Sequence, residues 1–210
     1  AVPGLFAPIE VNGRTLVDGG LVSNLPVQLA RDMGVDIVIA VNIGSGLQRP
    51  DELTSPAAVT QQMINILVDQ NVNAQKALLR RADVLIDNYR PGVMARLGYG
   101  WEALAARWPR LIHAATSGFG QTGPDSQKAA YDMVVQAMGG IMSVTGHPGG
   151  PPTRVGTSVG DITAGLFTVI GIMAALHDRT ATGKGQFVDV AMLDGQIAIL
   201  ENAIARYAAT

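Results

Sequence analysis

The chain has 210 residues, enough for one large domain or two small ones with a substantial buried core. Apolar residues make up 48% and charged residues only 15%, which excludes a disordered chain. The net charge is −2 and Lys and Arg form no stripe, which argues against nucleic-acid or anionic-membrane partners.

Cysteine is absent, so disulfides, zinc–thiolate sites and thiol nucleophiles are excluded, and His113, His147 and His177 fit no metal-ligand spacing. The longest apolar stretch, Ile162 to Leu176, is broken by Thr and Gly and reads as too short for a transmembrane segment. No signal peptide is visible, and a cytoplasmic location is the default expectation.

In chain order, Val11–Gly13 and Arg14–Val17 read as a turn and strand ending at Asp18. Asn24 is placed to cap a helix with Pro26 in its first turn and Gly34 at its end. Asp36–Asn42 contains the run IVIAV, expected for a strand buried on both faces. A loop over 44–56 leads to a long helix from Ala57 to Leu79. The strand Ala82–Ile86, the turn NYRPG and helices over Val93–Leu97 and Glu102–Trp108 follow. Leu111–Thr116 is a strand running into the glycine-rich loop SGFGQTGP. Helices are predicted over Tyr131–Met142 and Asp161–His177, a strand over Lys184–Met192 and a closing helix over Leu193–Ala208. This alternation indicates an α/β fold, a mainly parallel sheet flanked by helices.

Two sets of motifs share the chain. VDGGLVSNLPV at 17–27, followed by a helix and the strand IVIAVNIG, reads first as a tight turn with Asp18 capping a helix. With QQMINILVDQNVNAQKALL at 61–79, it also resembles the C-terminal part of the patatin-like phospholipases. That resemblance implies that Asp18 is the base of a Ser-Asp dyad whose serine lies in an upstream G-x-S-x-G elbow not contained in this sequence. An aspartate with no nucleophile to activate does no acyl chemistry, so residues 1–79 are expected to be silent. Gly156–Gly160 matches G-x-S-x-G literally, but it follows the loop GHPGGPPTR rather than a strand, against Ser158 as a nucleophile.

Residues 80–210 carry ADVLIDNYRPG, LGYGWEAL, RLIHAATSGFGQTGP, AYDMVVQAMGGIMSVTG, VGTSVGDITAG and TGKGQFVDVAMLD in one order. This series resembles the family III CoA-transferases, which include formyl-CoA and carnitine CoA-transferases and related acyl-CoA racemases. The two resemblances together imply a chain built from fragments of two larger α/β folds, 1–79 and 80–210, joined where KALLRRADVLID suits both.

The second resemblance implies CoA transfer from an acyl-CoA to a carboxylic acid, with coenzyme A as substrate and no metal. Asp161 matches the catalytic aspartate, which forms an aspartyl anhydride and then an aspartyl-CoA thioester; its alternative is a cap on the following helix. Tyr131 matches a tyrosine beside the active site, where the racemases typically carry His, and so points to transfer. The basic residue often found two positions earlier is Ala129 here, with Lys128 adjacent. Asn88, Tyr89, Arg96 and Leu97 match CoA-holding positions, Asn and Tyr by bonding and stacking and Arg by meeting a phosphate. The enzymes resembled form interlocked dimers, so a homodimer is the implied assembly. With the family's N- and C-terminal portions outside the sequence, transfer is expected to be impaired. The alternatives are a patatin-like hydrolase fragment and a folded, inactive chimera.

Overall fold

Residues 9–11, 14–16, 27–42 and 82–209 are described by the computed structural model. They fall into two units that divide between Leu85 and Ile86. Asp18, Asn24, Pro26 and the helix expected over 57–79 lie outside the described residues.

In the first unit, β1 (Ile9–Val11) and β2 (Arg14–Leu16) form an antiparallel hairpin with Glu10 opposite Thr15. Helix α1 (Val27–Asp32) ends at Gly34, whose φ of 80° suits a residue without Cβ. Arg31 then ties the helix end down: it donates to the Val35 and Asp36 carbonyls at 3.2 and 2.9 Å and pairs with Asp83. Asp83 also accepts the Val38 N–H at 3.1 Å. Strand β3 (Ile39–Asn42) corrects one expectation. Val38 and Ala40 are buried, but Ile37, Ile39 and Val41 are about half exposed. The strand is an edge of its sheet, with one face covered rather than two.

Strand β4 is Val84–Asp87, and its start in the first unit lies beside β3. The chain then runs through α2 (Val93–Arg96) and α3 (Trp101–Arg107) to β5 (Ile112–Ser117). Next come α4 (Asp132–Met138), a 3₁₀ turn (Ile141–Val144), α5 (Val159–Thr182), β6 (Phe187–Ala191), α6 (Met192–Leu200) and α7 (Asn202–Ala208). β5 and β6 are parallel, in register from His113–Phe187 to Ser117–Ala191, with α5 as the crossover. β5 is buried at five of its six positions, as a central strand of a covered sheet must be. Leu104, Leu111, Ile112 and Val135 are fully buried in this second unit.

Two glycines make this layer possible. A Cβ on Gly171 would lie 2.6 Å from Val188 Cγ1, so α5 lies hard against β6 there. A Cβ on Gly185 would lie 1.9 Å from the Leu111 carbonyl oxygen, where nothing can move aside.

Three element boundaries differ from expectation. α4 stops at Met138, and Gly140 (φ 89°) turns the chain into the 3₁₀ segment. The closing helix breaks at Glu201, which has φ 38°. α5 runs over 24 residues, so by length and apolar composition alone it would suffice to cross a membrane, correcting the expectation drawn from Ile162–Leu176. One face of it packs on the sheet through Ala164, Thr168, Ile172 and Ala175.

Candidate active site

The first turn of α5 carries Asp161, and the reason for its setting lies on α4. Asp132, buried to 6% exposure, accepts the backbone N–H of Gly160 on Oδ1 at 2.8 Å. Its Oδ2 accepts Gln136 Nε2 and Arg154 Nη2, each at 2.8 Å. Gln136, fully buried, in turn accepts the Val155 N–H at 2.9 Å and donates to the Thr157 carbonyl at 3.2 Å. One carboxylate and one amide thus hold the segment 154–160 against α4 and start the helix.

An N-terminal helical N–H needs a partner from outside its own helix. Asp132 supplies it to Gly160 across the helix interface, and Ser158, at the N-cap, makes no side-chain cap bond. The capping role considered for Asp161 is therefore taken by another residue, and Asp161 is left exposed. Gly160 is what lets the two elements meet: a Cβ there would lie 2.7 Å from Val135 Cγ2 and 3.1 Å from Asp132 Oδ1.

The two carboxylates are driven apart in acidity. Burial raises the Asp132 carboxyl, but the Arg154, Gly160 and Gln136 hydrogen bonds and the Arg154 charge outweigh it and hold it below the ordinary range. Asp161 moves upward: partial burial and the charge of Asp132 raise it, with Arg154 opposing. A carboxylate of raised basicity on an exposed first helical turn is a better nucleophile than an ordinary aspartate.

Tyr131 immediately precedes Asp132 and is 77% exposed, so its side chain stands largely in the open. The glycine-rich loop reaches the same place. A Cβ on Gly118 would lie 2.2 Å from Ala130 Cβ, so the loop passes against the residue before Tyr131. Beyond it, Gly120, Thr122, Asp125, Asp189 and Asp194 line a cleft of about 360 Å³. Lys128, next to Ala129, pairs with Asp125 at 2.7 Å. The cation beside the carboxylates is Arg154, from the loop before α5.

The four residues matched to CoA gather elsewhere, where β4 turns into α2. Asn88 and Arg96 are exposed and Leu97 is half-buried. Arg90, which the motif reading passed over, is exposed in the same turn. Tyr89 is only 9% exposed, so its ring belongs mainly to the core and offers little face for stacking. The turn rests on Asp87, whose Oδ1 accepts the Tyr89 N–H at 3.0 Å and whose Oδ2 accepts His113 Nε2–H at 2.6 Å.

Ser158 follows a stretch without strand structure, so the G-x-S-x-G string lacks the strand that a nucleophile elbow requires. Among the described residues no group of three or more His, Asp or Glu is arranged to hold a metal ion.

The sequence model of CoA-transferase family III matches residues 60–210, and that of the patatin-like phospholipases matches residues 1–31. The first match takes in 60–79, which the motif series places in the other segment. An acetyl-CoA:oxalate CoA-transferase of Acetobacter aceti is 55% identical over 134 residues, covering 63% of this chain and 34% of that protein. A succinyl-CoA–D-citramalate CoA-transferase of Chloroflexus aurantiacus is 42% identical over 150 residues, covering 70% and 37%. The chain thus spans little more than a third of the length of these relatives. A crystal structure of a CAIB/BAIF family protein from Brucella suis superimposes with a TM-score of 0.64 at 39% identity, covering 68% of this chain and 38% of that one.

Proposed function

The chain belongs to CoA-transferase family III, and from that premise we propose that it binds acyl-CoA and transfers CoA between carboxylic acids through Asp161. The observation that carries this reading is the exposed, basicity-raised Asp161 carboxylate on a helix start that Asp132 caps in its place.

In this reading the ionised Asp161 Oδ attacks the thioester carbonyl of the acyl-CoA. The tetrahedral intermediate collapses by breaking the C–S bond, leaving an acyl–aspartyl anhydride and CoA thiolate. The thiolate then attacks the aspartyl carbonyl and expels the donor carboxylate, so Asp161 holds CoA as a thioester. The acceptor carboxylate attacks that same carbonyl, releasing thiolate and forming a second anhydride. Attack of the thiolate on the acceptor acyl carbon yields the new acyl-CoA and frees Asp161. Every displacement exchanges one anionic leaving group for one anionic nucleophile, so no net proton moves.

A carboxylate is a weak nucleophile, and close positioning and donors for each oxyanion supply the rate. The hydrogen bonds that hold segment 154–160 to α4 support a fixed place for Asp161, and the close approach of Gly118 to Ala130 supports a place for the glycine loop in the same site. Asn88, Arg90 and Arg96 suit the phosphates and polar atoms of CoA. Cytoplasmic location and a homodimer belong to the same proposal.

The test is transfer of CoA from acetyl-CoA to oxalate and to succinate by the purified chain, with Asp161→Asn as control. Transfer by the wild type and none by the variant, with CoA still bound by both, supports the assignment. Equal transfer by both overturns it.

A further inference from the structure

The acyl-transfer chemistry leaves one buried pair unused. Asp87 and His113 are 2% and 3% exposed, and His113 Nε2 meets Asp87 Oδ2 at 2.6 Å. Asp87 ends β4, and its other oxygen takes the Tyr89 N–H two residues on, the bond of an Asx turn. One oxygen thus bends the chain and the other is pinned from the neighbouring strand β5, so the carboxylate has no rotational freedom left. The imidazole is itself held: the Phe187 ring lies 5.0 Å away, and Trp101 stacks on Phe187 at 5.9 Å.

This arrangement has a cost. With Nε2 given to Asp87, His113 Nδ1 is buried with no partner among the described residues. A buried polar atom left unpaired destabilises a fold, and an apolar side chain would avoid it. A fold that keeps the histidine keeps the geometry it imposes, and what that geometry presents to solvent is Asn88, Arg90 and, through Gly92 and α2, Arg96.

We propose that His113 is a positioning residue for CoA: through Asp87 it fixes the Asn88–Gly92 turn in the form that takes the ligand. The inference rests on the reading of that turn as the CoA site. It assigns His113 to affinity and not to the acyl-transfer step, which runs on Asp161.

The experiment is calorimetric titration of the full chain with CoA, beside a thermal melt and the transfer rate at saturating acetyl-CoA. His113→Leu keeps an apolar filler and removes the donor. His113→Gln places an amide nitrogen where Nε2 stood, and His113→Asn places it where Nδ1 stood. The expected result is CoA affinity about tenfold weaker in the Leu and Asn variants, within about threefold of wild type in the Gln variant, and a saturated rate changed less than about twofold. Should the Leu variant not melt cooperatively, the Gln and Asn pair decides, and equal affinities in those two overturn the proposal. Wild-type affinity in His113→Leu overturns it alone, with the CoA site intact. No CoA binding by the wild type overturns the site reading and this inference together.

Discussion

The backbone N–H of Gly160 donates to Asp132 Oδ1 at 2.8 Å, so the helix that carries one carboxylate is begun by another. The division of labour sets opposite roles for the two acids. Asp132 is buried, bonded and acidic, whereas Asp161 is made more basic by desolvation and, after it, by the charge of Asp132.

Asp132→Ala removes the acceptor of three hydrogen bonds, one of them from Arg154 and one from a buried N–H. Its expected cost is about 2–4 kcal/mol, read from urea unfolding at pH 7. Because the Asp132 carboxyl is held below its ordinary 3.8, its contribution is present above that pH and is lost as pH falls through the lower native value. The gap between wild type and variant therefore narrows in acid.

Asp161 has the opposite sign. Its carboxyl is raised above 3.8 in the fold, so ionisation opposes folding, and that penalty appears as pH rises through the native value. Asp161→Asn is expected to melt at or above the wild-type temperature at pH 7, with the difference fading below pH 3.8. A variant that loses transfer while gaining stability would mark a residue kept for chemistry.

The same shift predicts a pH profile. Acyl capture needs the ionised carboxylate, so the acid limb of the rate should fall at a pH above 3.8. In Asp132→Asn the neighbouring charge is gone and the limb should move to lower pH. An unchanged limb in that variant would show that Asp132 exerts no field on the reacting group.

Gly160→Ala and Gly185→Ala test the two close approaches. At 160 the new Cβ meets a side chain and a carboxylate at 2.7 and 3.1 Å, and a cost of about 1–3 kcal/mol with reduced transfer is expected. At 185 it meets a backbone carbonyl at 1.9 Å, which cannot yield without parting β5 from β6, and loss of the cooperative fold is expected. A circular dichroism melt distinguishes these outcomes.

Much of this was legible in the residues. The alternation of strands and helices marked the parallel sheet, and the motif series placed Asp161 at a helix start. What escaped was contact between distant segments. Asp132 reads as an ordinary acid in a first helical turn, and only the fold brings Gly160 and Arg154 to it. His113 reads as one position of the strand Leu111–Thr116, and only the fold sets it against Asp87. Tyr89 looked like a stacking platform, but its place after a buried strand end takes it into the core. The run IVIAV suggested burial on both faces, because hydrophobicity alone does not tell an edge strand from a central one. The signal that could have found Asp132 is its spacing from Gln136, which at i, i+4 puts two polar side chains on one face of a helix.

The central claim is a covalent one, and trapping tests it most directly. The purified chain is incubated with acetyl-CoA and hydroxylamine, digested, and the peptide bearing Asp161 examined by mass spectrometry. Conversion of Asp161 to its hydroxamate, dependent on acetyl-CoA, is the predicted result. An unmodified Asp161 in a folded chain that binds CoA, or modification at Ser158 instead, would contradict it.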